Sequence, residues 1–389
     1  MKALNQLKTF QRILGAYPAE MPLSKFLPGF YRQNKQMGST DRKVASRLIY
    51  NYFRLGKALD NTPTEERLMV AEFLCNNQTN SFLQHFKPEW ALCIGFDIGE
   101  KLKLVKNAYP AFKLADVFPW SAGLSDGIDK DIFLKSFFIQ PDLFIRVREG
   151  SETMVKGVLA KADITYKDEG NGCLALPNGT RLDALFPQQN WFEVQDHSSQ
   201  QTANWFKPNK WDAWWDACAA SGGKSLLLHE LQPDIKLVVS DIRESILDNL
   251  DGRFQNAGLI KYQKKLLDLT KNVDPELHDY AFDGIILDAP CSGSGTWGRT
   301  PEMISQFQSQ KIEFFQKLQQ SIAANVAKYL KPGKPLIYIT CSALKAENED
   351  AVNFMVKQLG LKVESMQVLK GYERRADTMF VARLSPPAP

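Results

Sequence analysis

The sequence predicts a multidomain α and α/β protein. A helical domain over residues 1–115 comes first, then a linker with a small α+β module over 116–195, then a Rossmann-like α/β domain over 196–389. Three observations carry this. Apolar positions at helical period fill the first ~110 residues. Short β-like runs flank one helical stretch between 144 and 194. Beyond 211, apolar runs alternate with helical stretches, and several runs end on a polar or reactive residue. That is the pattern of a parallel sheet whose site lies beyond the carboxyl ends of its strands. At 389 residues the chain is long enough for two or three domains.

In the N-terminal region Val44, Leu48, Tyr52 and Leu55 recur at helical spacing behind Ser39 and Thr40, either of which can cap a helix. A second helix is expected to start at Thr62-Pro63-Thr64-Glu65, with Thr62 as the cap, Pro63 at the first helical position and Glu65 closing a capping box. Between Ser24 and Lys57 the chain carries Lys25, Arg32, Lys35, Arg42, Lys43, Arg47, Arg54 and Lys57 against the single acid Asp41. Such a stripe can neutralise phosphates, and a solvated helical face is the alternative reading.

Phe118-Pro119-Trp120 and the polar stretch from Gly123 to Asp131 read as a connection. Phe144 to Arg148 then reads as a strand and Thr153 to Lys161 as a helix. Further strands are expected around Ile164-Thr165-Tyr166, Cys173 to Leu176 and Trp191 to Val194. An ordinary α/β extension of the C-terminal domain is the alternative for this stretch. The tail Ser385-Pro386-Pro387-Ala388-Pro389 is expected to fray.

The C-terminal domain begins with a strand in Trp211 to Cys218. The turn Ala219-Ala220-Ser221-Gly222-Gly223-Lys224-Ser225 follows, then the helical run Leu226 to Leu231. Glycines let backbone approach a ligand there, and a helix start offers unpaired N–H groups. Gly223-Lys224-Ser225 ends like a phosphate loop, but Cys218 stands where the leading glycine belongs, so that pattern fails. A second strand, Lys236 to Ser240, ends at Asp241, eighteen residues past Gly223 and near the ~20 expected of an acid on a ribose hydroxyl. A third, Tyr262 to Leu267, ends at Asp268. Gly284-Ile285-Ile286-Leu287 leads into Asp288-Ala289-Pro290-Cys291, and Pro335 to Ile339 leads into Thr340-Cys341-Ser342. Two thiols and a carboxylate are therefore expected to converge on one cleft. A lone cysteine at a strand end is ordinarily a small buried hydrophobe. Cys341 is expected where a strand hands over to a helix N-terminus, a setting that lowers a thiol's pKa.

Composition bounds the remaining classes. Forty-four per cent hydrophobic and twenty-four per cent charged residues describe an ordinary globular chain. No apolar run approaches the ~20 residues of a membrane span, and Met1 to Gln6 lacks the apolar core of a signal peptide, so the expected location is cytoplasmic. The six cysteines show no close C-x-x-C pairing and the four histidines no ligand spacing, so neither a disulfide framework nor a metal is expected. A net charge of +4 does not by itself indicate nucleic-acid binding. Nothing suggests an obligate dimer.

Asp288-Ala289-Pro290-Cys291 with its Gly/Ser-rich loop, and Thr340-Cys341-Ser342 with the segment ending Glu347-Asn348-Glu349, closely resemble motifs IV and VI of the RNA cytosine-C5 methyltransferases. Val194-Gln195-Asp196-His197-Ser198-Ser199-Gln200 resembles the family's Gln-Asp-x-x-Ser entry to its catalytic domain. Asp377 to Leu384 resembles its closing strand, although Thr378 and Met379 depart from the usual Asp-Gly-Phe-Phe. The stretch 144–194 resembles the family's ferredoxin-like, RNA-recognition-type module. Gly38 to Arg42, leading into Leu48-Ile49-Tyr50 and Arg54, resembles the NusB-like domain preceding some bacterial 16S ribosomal RNA enzymes. The strong resemblance covers about residues 194 to 384.

The resemblance implies an S-adenosylmethionine-dependent enzyme acting on RNA, with ribosomal RNA favoured over transfer RNA. It implies Cys341 as nucleophile, Cys291 as the thiol assisting product release and Asp288 on the cytosine edge. The cofactor would be held by Cys218, Ala219, Ala220, Ser221, Gly222, Gly223, Lys224, Asp241, Asp268 and Asp288. Asp241 would take the ribose and Asp268 the adenine amino group. Ser221 stands where the family usually has proline. A transfer-RNA or multi-substrate enzyme, a non-catalytic assembly factor and a DNA cytosine methyltransferase are the rivals. The Thr-Cys-Ser motif and the upstream modules favour RNA.

Overall fold

The computed structural model describes residues 2–187 and 190–388. It divides into two compact units. One comprises Met1–Ala122, Asp129–Gln140 and Thr296–Gln308; the other comprises Gly123–Ile128, Pro141–Gly295 and Ser309–Pro389.

The first unit is helical. Lys2–Ala16, Leu23–Gln33, Ser39–Arg54 and Thr64–Cys75 are its longest helices, followed by Ile98–Ala108. Phe10, Ile13, Leu27, Leu48, Ile49, Tyr52, Leu68 and Phe82 meet in one core, which explains the period read from the third helix. The caps differ from expectation. The third helix starts at Ser39 behind Gly38 and has no side-chain cap. Thr62 does not cap the fourth helix, which begins at Thr64 behind Pro63. Its backbone N–H instead closes a turn onto Leu59 O, and Glu65 accepts Gln11 Nε2 rather than reaching back. The reciprocal box forms at Asp97 and Glu100. Residues from Gly123 to Asp131 do not all form a connection, since Asp129 caps a short helix, Lys130–Ser136, by accepting Ile132 N–H at 3.0 Å.

The basic stripe is also thinner than its sequence. Arg54 is fully buried and donates to Phe137 O at 2.9 Å and Gln140 Oε1 at 2.7 Å. Arg47 pairs with the buried Glu72 at 3.1 Å. Arg54 is held within the helical fold because a buried cation needs such partners, and the half-buried Arg47 supplies the partner that the buried Glu72 needs. Lys25, Arg32, Lys35 and Lys43 stay exposed.

The second unit holds two sheets. In the smaller, β1 (Leu143–Val147), β2 (Lys167–Gly170), β3 (Cys173–Leu176) and β4 (Phe192–Val194) form an antiparallel sheet in the order β2-β3-β1-β4. With the helix Glu152–Lys161 between β1 and β2, this is the strand order of a ferredoxin-like module. Val155 and Leu159 from that helix pack on Ile145, Val147 and Leu174. The strand expected at 164–166 starts instead at Lys167. The left-handed Asp163 turns the chain, and Ile164 packs toward the small core before pairing begins at Lys167 and Ala175.

The larger sheet contains β5 (Ala213–Asp216), β6 (Lys236–Asp241), β7 (Gln263–Leu266), β8 (Gly284–Asp288), β9 (Leu336–Thr340), β10 (Lys362–Leu369) and β11 (Met379–Ser385). Their order is β10-β11-β9-β8-β5-β6-β7. The strands β5 to β9 are parallel, and β11 runs antiparallel between β9 and β10. The central strands are covered on both faces, which is why β5, β6, β8 and β9 read as largely apolar runs, whereas the edge strands β7 and β10 are mostly exposed and polar. Trp215, Val238, Ile285, Leu287 and Tyr338 face Ile322, Val326, Val352 and Met355. Trp214, Leu237, Val239, Ile286 and Ile339 face Leu226, Leu247, Leu250 and Phe254 on the other side. The chain leaves β5 for β6 and β7 on one flank, then returns to β8 and β9 on the other. This reversal places a crevice at the ends of β5 and β8. The tail is better held than expected, since Ser385 ends β11 and Pro386 O accepts Gly333 N–H. Pro389 lies outside the described residues.

Candidate active site

The turn after β5 is shaped by two left-handed residues, Ala220 at φ 47° and Gly222 at φ 82°. Gly222 is required sterically as well, because a Cβ there would lie 2.3 Å from Phe254 Cε1. Gly223 opens the helix Gly223–Leu231 and has room for a side chain. Ser221, which stands where the resembling family usually has proline, is held by side-chain hydrogen bonds. Its carbonyl and hydroxyl both accept Arg253 Nη1, at 3.2 and 3.0 Å, while Arg253 Nε binds Glu193.

Asp241, at the end of β6, is buried and has each oxygen doubly occupied. Oδ1 accepts Arg243 N–H and Arg243 Nε, both at 3.0 Å; Oδ2 accepts Ala220 N–H at 3.0 Å and Arg243 Nη2 at 3.2 Å. On each oxygen one donor is fixed backbone and the other belongs to a largely exposed guanidinium. Asp268 accepts the Thr270 hydroxyl at 2.6 Å and Thr270 N–H at 3.1 Å. The hydroxyl is the main cause holding its carboxyl below the usual range.

Asp216, which ends β5, is completely buried, and burial raises its pKa to about 7. Its Oδ2 accepts Ser225 Oγ at 2.7 Å. Asp288, at the end of β8, receives Lys224 Nζ at 2.9 Å. The same ammonium donates to Ser199 Oγ at 2.9 Å. Gln195 donates to Ser199 Oγ at 3.1 Å and accepts Arg146 Nε from β1 at 2.9 Å. The chain Arg146–Gln195–Ser199–Lys224–Asp288 thus runs from the small sheet to the crevice and gives Lys224 a definite position.

Cys291 and Cys341 stand with their sulfurs 3.2 Å apart, both as free thiols. The contact with Cys341, followed by burial, pushes the Cys291 thiol well up. The expected helix N-terminus beside Cys341 is not there. After β9 the chain makes a loop and a short 3-10 turn, Lys345–Glu347, and the next α-helix begins at Glu349. Helix-dipole activation of Cys341 is therefore not available. Gly295 comes close to this loop, donating to Cys341 O and accepting from Thr378 N–H, each at 2.9 Å. A Cβ at Gly295 would lie 1.9 Å from Thr378 O. Because Thr378 meets Gly295 through its backbone, its departure from the family pattern removes none of these bonds.

A cavity of about 480 Å³ joins these groups. Cys218, Ala220, Asp241, Asp268, Asp288, Cys291 and Cys341 line it. Ala219, Ser221, Gly222, Gly223 and Lys224 stand behind its wall, shaping the turn or holding Asp288. Sequence reasoning missed Ile242, Arg243, Thr270, Leu318 and Ile322 in the lining. Proximity to Asp241 and Asp268 was a signal for the first three. Leu318 and Ile322 arrive from the helix Gln310–Val326, far along the chain, and read simply as core. The volume falls within the range of small-molecule sites. The mixture of a deep acid, an apolar wall and a strained turn suits a nucleoside joined to a charged group. Among the described residues no cluster of His, Cys, Asp and Glu could hold a metal ion, and no helix is long and apolar enough to cross a membrane.

Residues 203–388 match the family model described as 16S rRNA methyltransferase RsmB/F. Curated relatives include ribosomal RNA small subunit methyltransferase B of Shewanella oneidensis, 36% identical over 178 residues, or 44% of this chain and 40% of the relative. The protein of the same description from Enterobacter sp. is 31% identical over 303 residues, 76% of this chain and 62% of the relative. The chain thus spans less than two thirds of the length of these relatives. Among solved structures, PH0851 superposes with a TM-score of 0.68 at 18% identity, covering 91% of this chain and 92% of that one. NSun6 from Pyrococcus horikoshii with SFG gives a TM-score of 0.60 at 17% identity, covering 69% and 96%. These likenesses show a shared fold.

Proposed function

We propose that this chain, with its RsmB/F-family domain at 203–388, methylates carbon 5 of a cytosine in RNA, with 16S ribosomal RNA as the substrate. The observation that carries the reading is the pair of thiols at 3.2 Å opening into the same cavity as Asp288 and Asp241. The family is S-adenosylmethionine-dependent, and the cavity suits that cofactor. Asp241 would take the ribose hydroxyls, Asp268 the adenine amino group, and the Ala220 turn would pass close to the ligand. When bound, S-adenosylmethionine supplies an electrophilic methyl group on sulfur.

Carbon 5 of cytosine is too weak a nucleophile to take that group unaided. Cys341, as its thiolate, adds to carbon 6 and makes carbon 5 enamine-like. Asp288, held by Lys224, hydrogen-bonds the cytosine edge and favours protonation at ring nitrogen 3, which drains charge from the adduct. After methylation, a base takes the carbon-5 proton, the electron pair of that C–H bond re-forms the carbon 5–carbon 6 double bond, the Sγ–carbon 6 bond breaks to expel the Cys341 thiolate, and ring nitrogen 3 gives back its proton. Cys291, in contact with Cys341, assists that release. A paired base has to leave its stack at a cost of a few kcal/mol, so single-stranded loops are favoured.

Bisulfite sequencing of total RNA from a strain lacking the protein tests the reading. One methylcytosine should vanish from 16S ribosomal RNA. A loss confined to transfer RNA would move the substrate, and no loss at all would sink the activity.

A further inference from the structure

Cys291 and Cys341 are each followed by a serine, and both serines turn onto the same buried carboxylate. Glu347 Oε2 accepts Ser292 N–H at 2.7 Å and Gln319 Nε2 at 3.3 Å. Its Oε1 accepts Ser292 Oγ at 2.5 Å and Ser342 Oγ at 2.7 Å. Glu347 is completely buried and is not part of the cavity wall. Its own backbone is anchored, since the Tyr338 hydroxyl from β9 donates to Glu347 O at 2.6 Å. The Cys291 loop is also fixed from behind, where Gln319 donates to Pro290 O at 2.9 Å.

A carboxylate is an expensive group to bury, and a well-packed apolar side chain would serve stability as well. Satisfying it takes donors from both thiol-bearing loops. A change in one loop is then felt by the other through a single side chain. We propose that Glu347 is the positioning residue that sets the distance between the two thiols. This rests on the reading that both thiols act in turn on one base. Attack needs Cys341 alone, whereas release needs Cys291 at a defined place beside the adduct. Glu347 therefore governs release more than attack.

The test uses the full chain and two readouts. The first needs no RNA: diamide oxidises the two thiols to one disulfide, itself becoming the hydrazine, and intact mass follows the loss of two hydrogens. Glu347→Gln should slow this closure at least tenfold. The second is turnover on RNA, where Glu347→Gln should form the covalent adduct at near the wild-type rate and release it at least tenfold more slowly. Ser342→Ala, which removes one donor, should show both effects more weakly and remains usable if the glutamine variant does not fold. Leu277→Ala, in the core of the large sheet, controls for lost stability. Unchanged closure in both loop variants overturns the proposal, as does a release defect in Leu277→Ala of the same size. Slowed closure in a protein whose wild type forms no RNA adduct would leave the positioning role standing and remove the covalent mechanism instead.

Discussion

At the scale of single residues, the two cysteines share a cavity and a contact, so only their chemistry separates them. Cys341→Ala should abolish methyl transfer and the trapping of RNA carrying 5-fluorocytosine, because fluorine cannot leave as a proton does. Cys291→Ala should still form the adduct and release it poorly, leaving a protein–RNA band in denaturing gels with ordinary cytosine. Trapping by Cys341→Ala but not by Cys291→Ala would reverse the assignment. Asp241, the acid proposed to take the ribose, allows a second comparison. Ribose hydroxyls can reach Asp241 only by replacing the two Arg243 guanidinium donors, since the backbone donors stay. Asp241→Ala should weaken S-adenosylhomocysteine binding at least tenfold, about 1.4 kcal/mol. Arg243→Ala, which removes the competitor, should tighten it. Calorimetry on both variants decides this, and weaker binding by Arg243→Ala would place the guanidinium on the ligand rather than in its way. The thiols and Asp288 were legible in the sequence because the motifs are short and contiguous. Arg243 and Glu347 were not singled out for these roles, because a charged residue near a strand end looks the same whether it faces solvent, a ligand or a neighbouring loop.

At the scale of elements, the central parallel strands β5, β6, β8 and β9 were legible because burial on both faces leaves little polar alternation to mistake for a loop, whereas the parallel edge strand β7 is polar and mostly exposed. Caps were less so. Thr62 to Glu65 and Asp97 to Glu100 both have capping-box spacing, and only the second is built: the fourth helix starts at Thr64 behind Pro63, so Thr62 is not its cap, and Glu65 accepts Gln11 instead. Gly222 and Gly223 look alike in sequence and differ in structure. Gly222→Ala combines a left-handed φ with a clash against Phe254 and should cost about 1–3 kcal/mol, loosening the turn after β5. Gly223→Ala should be nearly neutral in a thermal melt. Similar losses in both would mean that the turn relaxes around the added methyl. The end of β5 carries a pH signature. Asp216 has a folded pKa of about 7 against an ordinary 3.8, so its contribution to stability is fully present below about pH 4 and is lost as pH rises through about 7. At most this is on the order of 4 kcal/mol. Asp216→Asn should flatten the fall in melting temperature between these limits, and an unchanged slope would assign the loss to other groups.

At the scale of the whole molecule, period and alternation exposed the helical and sheet regions. They did not show that Asp129–Gln140 and Thr296–Gln308 join the N-terminal helices as one compact unit, because that depends on packing between segments far apart in the chain. The same limit applies to charge. The stripe from Lys25 to Lys57 is continuous in sequence, yet Arg54 is spent on backbone carbonyls and Arg47 on Glu72. If this unit holds RNA by its phosphates, the contacts fall to exposed cations such as Lys25, Arg32, Lys35 and Lys43. Each phosphate neutralised releases condensed counterions, so affinity should fall with salt at about 0.7 logarithmic units per contact on single strands. Reversing Arg32, Lys35 and Lys43 to glutamate should weaken RNA binding and flatten that dependence by about two such increments or more. Methyl transfer at saturating concentrations of a short substrate should suffer far less, because the cavity between Asp241 and Cys341 is untouched. Arg54→Glu should instead lower the melting temperature, since it buries an acid among the carbonyl acceptors that hold the guanidinium. Binding isotherms over a salt series separate the two: an unchanged slope in the triple variant would return the stripe to a solvated helical face and leave RNA capture to the second unit.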